Sequence, residues 1–115
     1  MARGRKVPFA SWETTKPNGI EDRYIRNGNT FMLHEATMSL SHASFRVYQY
    51  MKLDSGGARE FEFPYNKFKN IVSKDGFRGA LKDLVDKGFI DIVERGNTTR
   101  KPNVYRFSTR WRGET

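Results

Sequence analysis

The segment from Ser73 to Phe107 reads SKDGFRGALKDLVDKGFIDIVERGNTTRKPNVYRF. Its first half carries apolar residues at spacings of three, four, seven and eight positions, namely Phe77, Leu81, Leu84 and Val85. These spacings place the four side chains on one face of a helix. The helix is expected to end at Lys87 and Gly88, because they provide a basic last turn and a residue free to adopt positive φ.

Two strand-like runs follow this helix. Phe89–Val93 and Val104–Ser108 are rich in β-branched and aromatic residues, and the loop between them contains Gly96, Asn97 and Pro102. The segment therefore predicts a helix, a strand, a loop and a second strand. A basic loop between antiparallel strands after a helix is typical of the second half of a winged helix. In that fold the helix enters a DNA groove and the loop contacts the DNA backbone.

The residues before Ser73 predict the other elements of this plan. Ser41 is suited to cap a helix over His42–Leu53, and the apolar residues of its buried face are expected to be Phe45, Tyr48, Met51 and Leu53. Arg59–Phe63 alternates strictly, so Phe61 and Phe63 would share one side of a strand.

Pro64 is well suited to the first position of a further helix that runs to about Val72. A turn over Ser73–Gly76 would then lead into the helix described first. The predicted fold class is α+β, a winged helix-turn-helix with a three-helix core, a small antiparallel sheet and one β-hairpin wing.

The ends of the chain are assigned from composition. Residues 1–22 are expected to form a basic, mostly irregular arm, residues 23–112 the winged-helix domain with an N-terminal extension, and residues 113–115 a tail. Within the extension, a short helical piece is predicted over Phe31–Thr37. Phe9, Trp12 and Trp111 are expected to pack on the domain rather than to stack on bases.

The charge balance indicates an anionic partner. The 115 residues include 21 Lys and Arg against 13 Asp and Glu, a formal net charge of +8. From Arg95 to Arg112 every charged residue is basic, which favours a functional surface over charge that serves solubility alone. Nucleic acid is the partner that this distribution favours.

Several other functions find little support in the sequence. The chain has no cysteine, and its two histidines, His34 and His42, lack acidic neighbours at ligand spacing, so no metal or other cofactor is expected. Glu60 and Glu62 are interpreted as the solvated face of a strand rather than a catalytic pair. No apolar run approaches the roughly 20 residues of a membrane span, and a cytoplasmic protein is expected.

Three groups of residues are predicted to contact double-stranded DNA. The recognition helix would present Lys74, Asp75, Arg78, Gly79 and Lys82, with Arg78 best placed for a bidentate guanine contact. The wing would bind through Arg95, Asn97, Thr98, Thr99, Arg100 and Lys101. The flanking DNA backbone would be contacted by Tyr65, Lys67 and Lys69.

Four stretches carry a resemblance to a known family. LSHASFRVYQYM, FEFPYNKF, VSKDGFRGALKDLVDKGFIDIVERG and RKPNVYRFSTRW resemble small winged-helix proteins of bacterial plasmids, conjugative elements and phages. The resemblance implies double-stranded DNA binding, with readout near Lys74–Lys82 and wing contacts near Arg100 and Lys101. The chain departs from the pattern at Gly76 and Gly79, where similar recognition helices carry a hydroxyl or a long polar side chain.

The leading hypothesis is a non-enzymatic DNA-binding protein that acts in replication initiation or transcription regulation of a mobile element. The alternative from another class is a winged-helix module that binds a partner protein, and an RNA duplex is also left open. A homodimer, or contact with a replication or transcription protein, is equally left open. An exposed apolar patch on the recognition helix would favour the protein-binding alternative.

Overall fold

The computed structural model describes residues 8–21, 23–96 and 102–113 and has the predicted α+β composition. Within those residues there are four α-helices: α1 Asn29–Leu33, α2 Glu35–Met38, α3 His42–Ser55 and α4 Lys74–Asp86. The strands are β1 Glu60–Glu62, β2 Ile90–Glu94 and β3 Val104–Phe107, and two short 3₁₀ helices cover Tyr65–Phe68 and Arg110–Arg112. None of the described helices is long and apolar enough to cross a bilayer.

Helix α3 begins at His42 as its sequence predicts, but it ends at Ser55, two residues beyond the expected Leu53. The Ser41 Oγ accepts a hydrogen bond from the Ser44 backbone N–H at 3.1 Å, and Gly56 ends the helix with φ at +62°. Tyr48 and Met51 are buried as expected, and Val47 joins them in the core. Leu53 was expected on the buried face, and this was wrong: its side chain is 42% exposed, because it lies off the stripe that faces α4 and the sheet.

Helix α4 begins earlier than the sequence suggested. The Ser73 Oγ accepts a hydrogen bond from the Gly76 N–H at 3.0 Å, which makes Ser73 the N-cap and places Gly76 in the first helical turn. The predicted turn over Ser73–Gly76 was therefore wrong. The buried face of α4 contains Phe77, Ala80 and Leu84, with Leu81 and Val85 packed against its edge.

The predicted helix from Pro64 to Val72 was also wrong, and only the 3₁₀ helix Tyr65–Phe68 forms. Two i to i−3 backbone bonds run through this segment, from Lys67 N–H to the Pro64 carbonyl and from Ile71 N–H to the Phe68 carbonyl. The rings of Phe63 and Phe68 stack at 4.6 Å and keep the segment tight against the core. A segment this short nucleates an α-helix poorly, so the stacking of Phe68 on Phe63 is sufficient to favour the 3₁₀ helix.

The N-terminal extension also differs in detail from its prediction. The helical piece expected over Phe31–Thr37 is divided into α1 and α2 at His34, whose backbone is extended and whose Nδ1 accepts a hydrogen bond from the Ala36 N–H. Phe9 contacts the ring of Tyr24 edge to face at 5.4 Å. Trp12, in contrast, is 84% exposed, so its expected packing on the domain was wrong.

The three strands form an antiparallel sheet in the order β1–β3–β2. Phe61 and Ile92 both pair with Tyr105 of the central strand, and the register shifts between Ile92 and Glu94. The alternation predicted for β1 is confirmed, since Phe61 and Phe63 are buried while Glu60 and Glu62 are exposed. The β2–β3 pairing brings the two described ends of the connection, Arg95–Gly96 and Pro102–Asn103, to one end of the sheet.

An aromatic cluster joins the N-terminal extension, α3, the residue before β2 and the end of the described chain. The rings of Phe89 and Trp111 stack nearly parallel at 5.4 Å, and Phe31 meets the Trp111 ring edge on at 5.6 Å. Tyr48 of α3 contacts Phe89 at 5.5 Å. The expected packing of Trp111 on the domain is thus confirmed, and it fixes the 3₁₀ helix Arg110–Arg112 to the core.

Gly88 permits the close approach that completes this cluster. Its φ is +85°, and a Cβ added there would lie 2.8 Å from the Arg110 Cβ and 2.8 Å from the Trp111 backbone nitrogen. The Trp111 N–H donates to the Gly88 carbonyl at 3.1 Å. Any side chain at Gly88 would therefore separate α4 from the 3₁₀ helix Arg110–Arg112.

We expect Gly88→Ala to lower the free energy of unfolding by about 2 kcal/mol or more, because it adds both a strained φ and a backbone clash. Gly79→Ala is the matched control, since the added Cβ has no neighbour within 4 Å. It should raise the stability by roughly 0.5 to 1 kcal/mol as a helix-interior replacement. Urea unfolding followed by circular dichroism measures both, and a Gly88→Ala protein as stable as the parent would contradict the packing described.

Candidate nucleic-acid interface

The outward side of α4 carries the residues predicted for the recognition helix. All five are exposed: Lys74, Asp75, Arg78, Gly79 and Lys82. Burial of Phe77, Ala80 and Leu84 on the other side holds these residues toward solvent. The structure therefore brings the whole predicted set onto one accessible surface, which we call the α4 outer face.

The charged side chains of the α4 outer face differ in their partners. The Lys82 Nζ lies 2.7 Å from the Asp86 Oδ2, one turn along the helix, and this hydrogen bond and charge raise the pKa of Lys82. Both members of the pair are exposed, so solvent competes with their contact. Arg78 has no ion-pair partner among the described residues, and its guanidinium is open to a ligand.

Asp75 has a structural role at the start of the helix. It lies in the first turn of α4, where a negative charge is stabilised by the unpaired N–H groups of the helix terminus. A carboxylate repels phosphate, so the contact chemistry available to Asp75 is acceptance of a hydrogen bond from a base edge. The α4 outer face thus combines cationic groups with one acceptor.

The two glycines of α4, Gly76 and Gly79, have different environments. A Cβ on Gly76 would meet the Ser73 Oγ at 3.1 Å, which crowds the hydroxyl that caps α4. A Cβ on Gly79 would meet nothing within 4 Å. Gly76 is therefore favoured by the capping geometry, whereas Gly79 leaves the backbone beside Arg78 accessible.

The β2–β3 connection is described only at its two ends. Arg95 is exposed directly after β2, and the Gly96 N–H donates to the Asn103 Oδ1 at 3.0 Å across the base of the connection. Asn103 also donates to the Tyr105 hydroxyl at 3.3 Å. The predicted contacts of Asn97, Thr98, Thr99, Arg100 and Lys101 lie outside the described residues and stay predictions.

Asn103 was not identified from the sequence, although an asparagine beside a proline in a loop is a recognised turn signal. Its side chain bridges the two ends of the connection and holds Tyr105 in the central strand. Burial raises the pKa of the Tyr105 hydroxyl, while the hydrogen bond with Asn103 and the charge of Arg95 oppose that rise. The base of the connection is thereby fixed to the sheet.

The third predicted group lies next to the N-terminal end of α4. The Tyr65 ring packs 5.3 Å from the ring of Phe77, so the 3₁₀ helix that carries Tyr65 and Lys67 adjoins α4. The Lys67 Nζ is held 2.7 Å from the Asp54 Oδ1 at the end of α3. Lys69 is exposed and has no ion pair among the described residues, so it is the freer cation of this group.

Asp83 fixes α4 against α3, and its role was missed by the sequence reasoning. Its Oδ2 accepts hydrogen bonds from the Ser44 hydroxyl at 2.7 Å and the Ser41 N–H at 3.2 Å, while its Oδ1 lies 2.8 Å from the Lys87 Nζ. Burial opposes ionisation, but the hydrogen bonds from Lys87, Ser44 and Ser41 hold the pKa of Asp83 below its usual value. A carboxylate from one helix thus caps the other, a pairing between distant residues that no local pattern reveals.

We expect Asp83→Asn to destabilise the protein by roughly 1 to 2 kcal/mol at pH 7, because it weakens the cap on α3. The lowered pKa of Asp83 contributes to the free energy of unfolding above the unfolded-state pKa of about 3.9. This contribution is lost as the pH falls through the folded-state pKa. Urea unfolding at pH 7 and pH 3 should therefore show a larger difference from the parent at pH 7.

Asp86→Asn is the matched control for this measurement, since Asp86 lies on the same helix in an exposed ion pair. Its unfolding midpoint should stay close to that of the parent at both pH values. An equal loss in Asp83→Asn at pH 7 and pH 3 would contradict a role for the ionised carboxylate.

The comparisons with known proteins add no assignment. The chain has no significant match to a protein-family model, a curated protein or a solved structure. Among the described residues, His, Asp and Glu form no group of three suited to hold a metal ion. The interface is therefore characterised by its own residues.

Proposed function

We propose that this protein is a winged-helix protein that binds double-stranded DNA. In this proposal α3, the 3₁₀ helix Tyr65–Phe68 and α4 correspond to the three helical elements of the fold, and the β2–β3 connection is the wing. The observation that carries it is the α4 outer face, where Arg78 is exposed and has no ion-pair partner among the described residues, on a helix whose opposite side is firmly packed. Supporting it is the net charge of +8.

Each residue of the α4 outer face has a distinct task in this proposal. Arg78 donates two hydrogen bonds to guanine in the major groove, the commonest specific contact of an arginine with DNA. Lys74 binds a phosphate, and Lys82 exchanges the carboxylate of Asp86 for one. Because Gly79 has no side chain, the helix lies closer to the groove there than an alanine would allow.

The flanking groups supply affinity rather than sequence preference. Arg95 and the basic residues of the wing bind phosphates, as does Lys69 beside the N-terminal end of α4. Each phosphate neutralised by such a group releases counterions, so binding weakens as the salt concentration rises. A cation that is already paired within the protein contributes less to DNA affinity. Lys67 is such a cation, because its ammonium group is bound to Asp54.

The proposed biological role follows from the family resemblance. Winged-helix proteins of plasmids, conjugative elements and phages that resemble this chain act in replication initiation or as regulators. We propose that this protein likewise acts in replication initiation or in transcription regulation, without catalysing a reaction. The α4 outer face is polar, which favours DNA over a protein ligand on that surface.

A protein partner is a second candidate function with its own observation. Three apolar side chains of α1 and α2 are exposed, namely Met32 at 43%, Leu33 at 75% and Met38 at 72%. Met32 and Met38 line one surface pocket, and exposed apolar side chains that lie together mark protein interaction sites. This group lies on the N-terminal extension and not on α4, so binding of a protein there is compatible with binding of DNA through α4.

We expect micromolar binding to a mixed-sequence DNA duplex that falls steeply with salt. Arg78→Ala should erode the preference among sequences by about 1 to 3 kcal/mol at one base pair. Arg46→Ala removes the same charge from an exposed site on α3 and should leave that preference unchanged. Fluorescence anisotropy with DNA and matching RNA duplexes measures both, and a folded protein without DNA binding at low salt would refute the proposal.

The wing makes a separate prediction. We expect Arg100→Ala combined with Lys101→Ala to weaken binding to all duplexes alike and to reduce the slope of log affinity against log salt by about 2. Sequence preference should be retained, since phosphate contacts carry no sequence information. Binding of random DNA equal to that of the parent at every salt concentration would refute the wing assignment.

A further inference from the structure

A cavity of about 680 Å³ lies on a part of the molecule that the DNA-binding proposal does not use. Its walls come from residues 23–26, the C-terminal half of α3, residues 55–59 and the chain that follows β3. No residue of α4 and none of the described residues of the β2–β3 connection takes part in its lining. Its volume lies within the range of small-molecule sites, which is roughly 300 to 1,000 Å³.

The lining of this cavity is cationic. It includes Arg23, Arg26, Lys52 and Arg59, and none of the described residues that line it is acidic. The nearest carboxylate along α3 belongs to Asp54, which is bound to Lys67 at 2.7 Å. Four cations with no acid among the described lining residues repel one another, so an anion in the cavity would lower the electrostatic free energy.

The cations are positioned by neutral groups. Arg23 donates to the Leu53 carbonyl at 3.0 Å, Arg26 to the Tyr24 hydroxyl at 2.9 Å, and Arg59 to the Phe107 carbonyl at 3.2 Å. These bonds fix the direction of each guanidinium but leave its charge uncompensated. Each guanidinium has further N–H groups available, since arginine carries five donors.

Lys52 is the most confined of the four. Its Nζ donates to the Arg26 carbonyl and to the Asn27 Oδ1, and it lies 5.3 Å from the ring centroid of Phe31 and 5.9 Å from that of Tyr48. Burial lowers the pKa of its ammonium group. A partly buried cation beside two aromatic rings gains more from a bound anion than an exposed one does.

Aromatic side chains form the apolar part of the same cavity. Tyr24, Phe107 and Trp111 contribute to its lining, and the Tyr24 side chain is 46% exposed. Tyr48 also lines it but is buried, and it supports the Phe107 ring edge to face at 5.7 Å. A free inorganic anion would make no favourable contact with such an aromatic surface. A ligand that joins a planar ring to an anionic group uses both the aromatic and the cationic lining.

We propose that this cavity binds a nucleotide, with the base against the aromatic side chains and the phosphate on the cations. Aromatic rings provide a stacking surface for bases, and guanidinium groups bind phosphate in bidentate geometry. The nucleotide is either a free mononucleotide or one residue of a single strand. This site is separate from the α4 outer face, so the proposal is tested independently of duplex binding.

The two tryptophans allow a direct test. Trp12 is 84% exposed, whereas Trp111 lines the cavity, so Trp12→Phe leaves Trp111 as the only indole of the chain. We expect saturable quenching of Trp111 fluorescence by ATP or by a single-stranded deoxyadenosine decamer. Tighter binding of the decamer identifies a strand site, and ATP binding as tight or tighter identifies a free-nucleotide site.

Chemical controls define the ligand class. Adenosine, which lacks the phosphates, should bind at least tenfold more weakly than ATP, and inorganic triphosphate, which lacks the base, should compete at least tenfold more weakly. Binding of adenosine as tight as that of ATP would overturn the role of the cations. Competition by inorganic triphosphate equal to that of ATP would overturn the role of the aromatic side chains.

Two variants test whether the nucleotide binds in the cavity. Arg26→Gln, which changes an exposed side chain with little effect on folding, should weaken nucleotide binding at least fivefold, and Arg46→Gln on another side of α3 should leave it unchanged. Arg78→Ala should also leave it unchanged. Absence of saturable quenching by both ATP and the decamer, or an equal loss in Arg26→Gln and Arg46→Gln, would overturn the proposal whatever the outcome with duplex DNA.

Discussion

The backbone of Gly88 lies directly against that of Arg110 and Trp111, and the rest of the structure depends on this contact. It turns the chain from α4 into β2 and sends Phe89 into the aromatic cluster with Trp111, Phe31 and Tyr48. The Arg110 guanidinium reinforces it by donating to the carbonyls of Val85 and Ile90 and to Asp91 at 2.6 Å. Helix, sheet and chain end are thereby held together, and the direction of the α4 outer face is set.

Two carboxylates, one on α4 and one on β2, have partners within the packed structure. Asp83 is used to cap α3 and to bind Lys87, and Asp91 is used by Arg110. Both acids are paired with groups that position the helices, so they do not neutralise Arg78 on the outer face. The same separation on the far side of α3 leaves the cationic cavity without an acid among its described lining residues. Two basic surfaces of different shape result, one convex on a helix and one concave with aromatic walls.

The prediction from sequence succeeded where local patterns are strong and failed where tertiary contacts compete with them. Periodic apolar residues identified α4, alternation identified β1, and Ser41 marked the start of α3. The helix expected after Pro64 was wrong, because the stacking of Phe68 on Phe63 favours a 3₁₀ turn. Of the candidate site, the exposed residues of α4 were predictable from the same periodicity that buries Phe77 and Leu84. Asn103 and Asp83 were not, since their roles arise from partners elsewhere in the chain.

The sequence by itself determined the order of the elements, the inward and outward sides of α4 and the excess of basic charge. These properties depend on residues within a few positions of one another, where helical and strand periodicity act. Only the tertiary structure decided which charges of separate elements are paired and which surfaces exist. Lys67 meets Asp54 and Asp83 meets Ser44 through contacts between separate elements. The cavity that Lys52 lines forms where residues 23–26, α3 and the segment after β3 meet, and no single segment of the chain encodes that arrangement.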